Sequence, residues 1–183
     1  GFRYSLVTKS GSYSSKIVGS SNTALASQVL GGVVAYHAFH REHEPSGNLS
    51  LVWRPTDESL LYATYSRGLR NGGINLVSLN IAQGANPDVK PEIDDMFEVG
   101  AKNSFLHKRL LVNVAAFWNN VHNYITSASY YTPTGTTISY LTNAKHVISR
   151  GFELDTRGII LPGLEGRVSA SYTDAYFASF DNA

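Results

Sequence analysis

Three tight turns alternate with three long polar excursions along this chain, and that spacing limits its fold more than any single motif. The turns are Pro55-Thr56-Asp57-Glu58, Ser104–Lys108 and Leu161-Pro162-Gly163-Leu164. The excursions, rich in Gly, Asn, Ser and Thr, cover Ser10–Gly47, Asn71–Ile93 and Ser127–Lys145. Between them the sequence repeats with a period of two. Phe2, Tyr4 and Leu6 alternate with Arg3, Ser5 and Val7, and Leu49, Leu51 and Trp53 with Ser50, Val52 and Arg54. Phe97, Val99 and Ala101 alternate with Glu98, Gly100 and Lys102. Leu110, Val112, Val114, Ala116 and Trp118 form an unbroken apolar row opposite Leu111, Asn113, Ala115, Phe117 and Asn119. Phe152, Leu154 and Thr156 oppose Glu153, Asp155 and Arg157; Val168, Ala170 and Tyr172 oppose Arg167, Ser169, Ser171 and Thr173. Successive side chains of a strand point to opposite faces, so period two reads as strand.

Connections in compact domains have a median of about 4–6 residues, so repeated long ones need a reason. Outer-membrane barrels supply it: short turns gather at the periplasmic rim and long loops at the extracellular one. With the tight turns on one side, the strands fall at 1–10, 48–55, 59–70, 94–104, 108–122, 146–157 and 164–177. These seven lie near or above the roughly 9–11 residues of a tilted membrane strand. An extra crossing at Val33–Arg41 would move Ser10–Gly32 to the short-turn side, so this apolar stretch is assigned to the first excursion, as a protruding hairpin or a short helix. The fold class is therefore all-β: an antiparallel, up-and-down transmembrane barrel segment with short periplasmic turns and long extracellular loops. Seven strands are an odd number, whereas single-chain bacterial barrels close with an even one. Two edges are left open.

In such a barrel the apolar row meets lipid and the polar row meets a wet lumen. Glu98, Lys102, Glu153, Asp155, Arg157 and Arg167 fall on the lumen row, and Trp53, Tyr62, Tyr65, Trp118, Tyr124, Tyr172 and Tyr176 suit interfacial girdles. A soluble or cell-surface β-sandwich that binds ligand through its loops is the alternative. There the apolar row would pack on a second sheet.

Composition removes other classes. Lys plus Arg number 15 against 14 Asp plus Glu, a net charge of +1 without the basic excess of a nucleic-acid binder. There is no cysteine, hence no disulfide framework. No apolar run approaches the roughly 20 residues of a membrane helix. Gly1-Phe2-Arg3-Tyr4 reads as mid-strand rather than as a signal peptide, so the chain is expected to be an internal piece of a longer one.

An ordered series of motifs then carries a resemblance. Gly47–Glu58 runs into Leu61-Tyr62-Ala63-Thr64-Tyr65-Ser66-Arg67-Gly68 and Asn71-Gly72-Gly73-Ile74-Asn75. Pro91-Glu92 precedes Phe97–Lys102, Arg109–Phe117 follows, and Thr142-Asn143-Ala144 precedes Gly151-Phe152-Glu153-Leu154, with Ser169–Ala175 closing the set. The series resembles the barrel of TonB-dependent outer-membrane receptors. The best match covers 46–177, and within a long loop of about 11–47, residues 11–45 match nothing named. The resemblance implies that residues 1–183 are part of a barrel domain lacking the plug, the TonB-contacting segment and the terminal strand. It implies a Gram-negative outer-membrane receptor importing a scarce nutrient, foremost a ferric siderophore. Implied partners are the TonB complex through the missing N-terminal part, outer-membrane lipid, and an extracellular metal chelate or similar nutrient. No cofactor is implied.

Candidate sites are few. Ligand contacts are expected in the loops at 71–93 and 127–145. His37, His40 and His43, with Glu42 and Glu44, form the one metal-like cluster. On a strand, a spacing of three sends successive histidines to opposite faces, whereas a helix would align them. Glu92, Asp94 and Asp95 follow Pro91, either as solvated residues or facing a cation. No nucleophile elbow or metalloprotease helix occurs, and Gly72-Gly73 lacks a phosphate-loop context, so no enzyme is expected.

Overall fold

The computed structural model describes residues 1–16, 18–19, 22, 24–25, 35–75, 87–131, 135 and 137–179. The strands are β1 (Phe2–Ser14), β2 (Ala35–Thr56), β3 (Ser59–Arg70), β4 (Gly73–Ile74), β5 (Asp88–Val89), β6 (Glu92–Phe105), β7 (Leu110–Tyr131), β8 (Thr137–Leu161) and β9 (Leu164–Ser179). Seven of them form one antiparallel sheet in the order β1-β2-β3-β6-β7-β8-β9, and β4 and β5 pair as a separate two-stranded ribbon. Neighbours in the sheet follow one another in sequence apart from the ribbon, so its connections alternate between two ends. The turns at 57–58, 106–109 and 162–163 share one end. Gly163 takes φ +83° in the last of them, and Leu106, His107 and Lys108 are all left-handed in the middle one. The sheet is open: β1 and β9 are its edges.

Several strands run further than the sequence pattern indicates. β7 has 22 residues and β8 has 25. They pair from Leu110 with Gly158 up to Tyr131 with Thr137, so most of the third excursion is a strand hairpin. β1 and β2 likewise pair up to Ser14 with Ala35. Residues 35–41 are thus strand, not helix, while 33–34 lie outside the described residues. Ser, Thr, His and Gly in these stretches hide the strands from composition, yet each pairs in register with the other arm of its hairpin, which supplies the backbone partners a strand needs.

Register ties one face together across the sheet. Leu51, Ala63, Val99, Ala116, Phe152 and Tyr172 are cross-strand partners in a single row, and Trp53, Leu61, Ala101, Val114, Leu154 and Ala170 form the next. These rows make an outer face opposite the ribbon, and they are uncovered: Leu51 is 72% exposed and Phe152 57%. The inner face is polar. Tyr62, Gly100, Ala115, Glu153 and Ser171 make one row there, and Lys102, Asn113, Asp155 and Ser169 another. Glu98, Arg157 and Arg167 share that face, as the alternation requires. Tyr62 departs from its expected girdle position. It lies on the inner face, its hydroxyl donating to Glu98 at 2.7 Å. Parity decides this, because Tyr62 pairs with Gly100 rather than with an outer-row residue.

Close packing within the sheet singles out Gly151. A Cβ there would lie 2.1 Å from the Tyr172 carbonyl oxygen and 2.8 Å from the Phe117 ring. At Gly158 the nearest atom would be Leu110 Cδ1 at 3.5 Å. Gly151→Ala should therefore destabilise the intact protein by about 1–3 kcal/mol through overpacking. Gly158→Ala should leave its denaturant midpoint nearly unchanged.

Candidate functional site

Buried side chains are scarce among the described residues, and they concentrate where the ribbon meets the inner face beyond the apolar rows. Ala38, His40, Glu42, Asn75, Val89, Ile125 and Ala144 are all buried. Strand alternation on β2 brings Ala38, His40 and Glu42 to the inner side, opposite Gly11, Lys9 and Val7 of β1. Gly72 sits against the ribbon so tightly that a Cβ would lie 2.1 Å from the Val89 carbonyl oxygen. This contact leaves room only for glycine.

The ribbon is fastened at both flanks. On the β1–β2 side, Lys9 Nζ donates to the Gly72 carbonyl at 2.5 Å and the Gly72 N–H donates to Glu42 Oε2 at 3.0 Å. The Tyr36 hydroxyl donates to the Asn75 carbonyl at 2.5 Å. His40 stands between Glu42 and Asp88, Nε2 at 2.9 Å from the first and Nδ1 at 2.5 Å from the second. Burial opposes charging of this imidazole, but the two carboxylates outweigh it and raise its pKa above the ordinary value.

On the β7–β8 side, two asparagines act as short strands. Asn75 donates through Nδ2 to the Leu141 carbonyl at 2.7 Å and accepts the Leu141 N–H at 3.0 Å. Asn143 accepts the Lys90 N–H at 2.9 Å and donates to the Lys90 carbonyl at 3.0 Å. Glu92 Oε2 accepts the Ile125 N–H at 2.7 Å. The ribbon thus crosses the inner face from β2 to β8. It joins the two segments expected to contact ligand, 71–93 and 127–145, although 76–86, 132–134 and 136 lie outside the described residues.

The histidine cluster does not assemble. His37 and His43 share the outer face of β2 and His40 the inner one, the split that a spacing of three produces on a strand. His43 Nδ1 meets the Tyr4 hydroxyl at 3.4 Å, and no metal-holding group occurs among the described residues. The acidic trio also divides. Glu92 and Asp94 alternate with Asp95, which is buried on the outer face, clasped by Arg67 at 2.7 and 2.8 Å and by the Tyr65 hydroxyl at 2.6 Å. This pair belongs to a belt that borders the apolar rows. Leu49, Tyr65, Phe97, Trp118, Arg150 and Asp174 pair in one row of it, and Gly47, Arg67, Asp95, Asn120, Ile148 and Tyr176 in the next. Arg150 lies over the Trp118 and Tyr176 rings, 5.4 and 5.8 Å from their centroids, and pairs with Asp174 at 3.0 Å. Sequence reasoning missed the two bracketing asparagines as fastenings of the ribbon. Their signal was present, since Gly72-Gly73-Ile74-Asn75 and Thr142-Asn143-Ala144 stand among the recurring motifs.

Comparison with known proteins agrees with this architecture. The family model described as TonB dependent receptor-like, beta-barrel matches residues 1–183. No curated protein matches the chain. Among solved structures, the ferric yersiniabactin uptake receptor FyuA from Yersinia pestis superposes with a TM-score of 0.65 at 16% identity, over 97% of this chain and 24% of that one. The copper transporter OprC gives 0.63 at 17% identity, over 84% and 24%. The siderophore receptor PiuA from Acinetobacter baumannii gives 0.56 at 21% identity, over 80% and 20%. The chain spans a quarter or less of the length of these proteins. Their names are those of receptors and transporters, not of enzymes, in keeping with the non-catalytic reading of the sequence.

The asparagine bridges have a direct test. Asn75→Ala would leave the Leu141 N–H and carbonyl without their side-chain partner at a part-buried site, a loss of about 0.5–1.5 kcal/mol. Amide exchange at Leu141 in the intact protein should accelerate, while amides in β3 and β6 should keep their protection.

Proposed function

Because this chain belongs to the TonB dependent receptor-like β-barrel family, we propose that it is an arc of a transmembrane barrel in a receptor of the Gram-negative outer membrane. The receptor imports a scarce nutrient, foremost a ferric siderophore. The observation that carries the membrane placement is the register of the outer face. Two uncovered apolar rows run across the sheet and end at a belt of Tyr65, Phe97, Trp118, Tyr176 and paired charges. Apolar bands edged by aromatic girdles are how barrels meet the acyl region and its interface. The sandwich alternative needs a second sheet on those rows. Among the described residues the only other sheet is the β4–β5 ribbon, and it lies on the opposite face.

On this reading the end holding the turns at 57–58, 106–109 and 162–163 faces the periplasm. The long β1–β2 and β7–β8 hairpins and the ribbon stand outside, where segments 71–93 and 127–145 meet the ligand. The open edges β1 and β9 pair with further strands of the same barrel, since unpaired edges within hydrocarbon are not tolerated. The polar inner rows, including Glu98, Lys102, Glu153, Asp155, Arg157 and Arg167, line the lumen. The plug and the TonB complex belong to the rest of the receptor. TonB-linked energy moves the plug, and no covalent bond of the cargo changes. The cargo assignment rests on the resemblance and on the names of the superposing receptors.

Uptake of radiolabelled ferric siderophores by cells carrying the intact receptor tests the transport reading. Uptake should depend on the receptor and on TonB, and accumulation unchanged by loss of TonB would refute it. Adjacent substitutions test the faces. Val114→Arg should destabilise the receptor by about 2–4 kcal/mol if the residue lies near the bilayer midplane. Asn113→Arg, pointing into the lumen, should be far milder. Equal losses in lipid-vesicle unfolding would contradict the outer-row assignment.

A further inference from the structure

One flank of the ribbon is held by contacts that require a proton. His40 Nδ1 is 2.5 Å from Asp88 Oδ1, and Nε2 is 2.9 Å from Glu42 Oε2. Both partners are carboxylate oxygens, and only the imidazolium has a donor on each ring nitrogen. A neutral imidazole has one N–H, so one of the two contacts would set a lone pair against a carboxylate. The same Glu42 oxygen accepts the Gly72 N–H, and Glu42 Oε1 is buried without a hydrogen-bond partner. Polar groups in a buried site are costly once a partner is lost.

The surrounding charges sharpen the requirement. Lys9 of β1 is the cross-strand partner of His40 and binds the Gly72 carbonyl. Tyr36, Glu42 and Glu44 share the inner face of β2, Asp88 comes from β5, Lys90 follows it with an exposed side chain, and β4 brings no titratable group. With His40 protonated, Lys9 and His40 balance Glu42 and Asp88. Loss of the proton leaves Lys9 alone against buried Glu42 and the part-exposed Asp88.

We propose that the β4–β5 ribbon is a proton-locked strap, in which imidazolium His40 clamps it to the β1–β2 wall and deprotonation frees that flank while Asn75 and Asn143 keep the other attached. The inference goes beyond the receptor reading and rests on the ribbon's own contacts, so it stands or falls whatever the cargo. Its sign follows from the raised folded-state pKa of His40. The clamp is fully present below the ordinary histidine value of about 6.5 and is lost as pH climbs through the raised one. Acid closes the strap and alkali loosens it.

Pulsed dipolar EPR on the intact receptor in lipid vesicles reads the strap directly. Nitroxides on Asn71→Cys and Arg41→Cys, both exposed positions, report the Gly72 flank of the ribbon against β2. A single short distance is expected at about pH 5, with a second, longer population growing several-fold by about pH 9. His40→Gln should give one distribution at every pH. Asp88→Asn should keep the strap shut at the alkaline end, because the asparagine amide can donate to Nδ1 of neutral His40 while Nε2–H still donates to Glu42, whose oxygen keeps the Gly72 N–H. A wild-type distribution that does not change with pH, or a pH response that survives in His40→Gln, would overturn the proposal.

Discussion

The continuous antiparallel register of seven strands is the constraint on which everything else depends. A strand has a side-chain period of two, so slipping one strand by one residue would exchange its entire outer and inner sets. From β3 to β8 no such slip occurs: each pair keeps a single register along its length, and the shifts that exist lie at Trp53/Thr56, His146/Val147 and Ile159/Leu161, at the ends of their ladders. Apolar residues therefore collect in rows on one side although almost no apolar side chain is buried. Ala38, Val89, Ile125 and Ala144 are the whole buried apolar set among the described residues. Such a sheet does not build its own core. Its outer rows find apolar surroundings in lipid on the proposed reading, and the backbone ladder supplies the order that a core would otherwise impose.

Beyond the apolar rows the packing changes character. The ribbon's fastening is polar and made mostly with backbone groups: Gly72, Asn75, Lys90 and Leu141 each use a main-chain N–H, a carbonyl or both. Side-chain amides that meet both groups of one residue imitate strand pairing and fix direction as well as distance. The ribbon so links β2 to β8 across three intervening strands. It holds the two long hairpins in a fixed relation on the inner face.

Much of this was legible in the sequence, for physical reasons that also explain the misses. The row from Leu110 to Trp118 and its opposite row announced their faces because nothing interrupts the alternation, and the tight turns placed the strand ends. The upper parts of β2, β7 and β8 were read as loop because Ser, Thr, His, Asn and Gly carry no apolar period, yet paired neighbours extend a strand irrespective of hydropathy. Tyr62 was assigned to the girdle by residue type, and parity sends it inward onto Glu98. The three histidines looked like a ligand set in one dimension and separated once the strand set their directions. Contacts such as His40 with Asp88, 48 residues apart, have no local signature at all.

The central claim is that the outer rows face lipid up to the belt and that the inner rows face water. Nitroxide scanning of β7 from Leu110 to His122 in the intact receptor, reconstituted in a bilayer, tests it most directly. Collision rates with oxygen and with a water-soluble nickel chelate should alternate with a period of two. Val112, Val114 and Ala116 should favour oxygen, Asn113 and Ala115 the chelate, and the preference for oxygen should fade between Trp118 and Asn120, where the belt begins. A profile without alternation, or chelate access at Val114 equal to that at Asn113, would contradict the account.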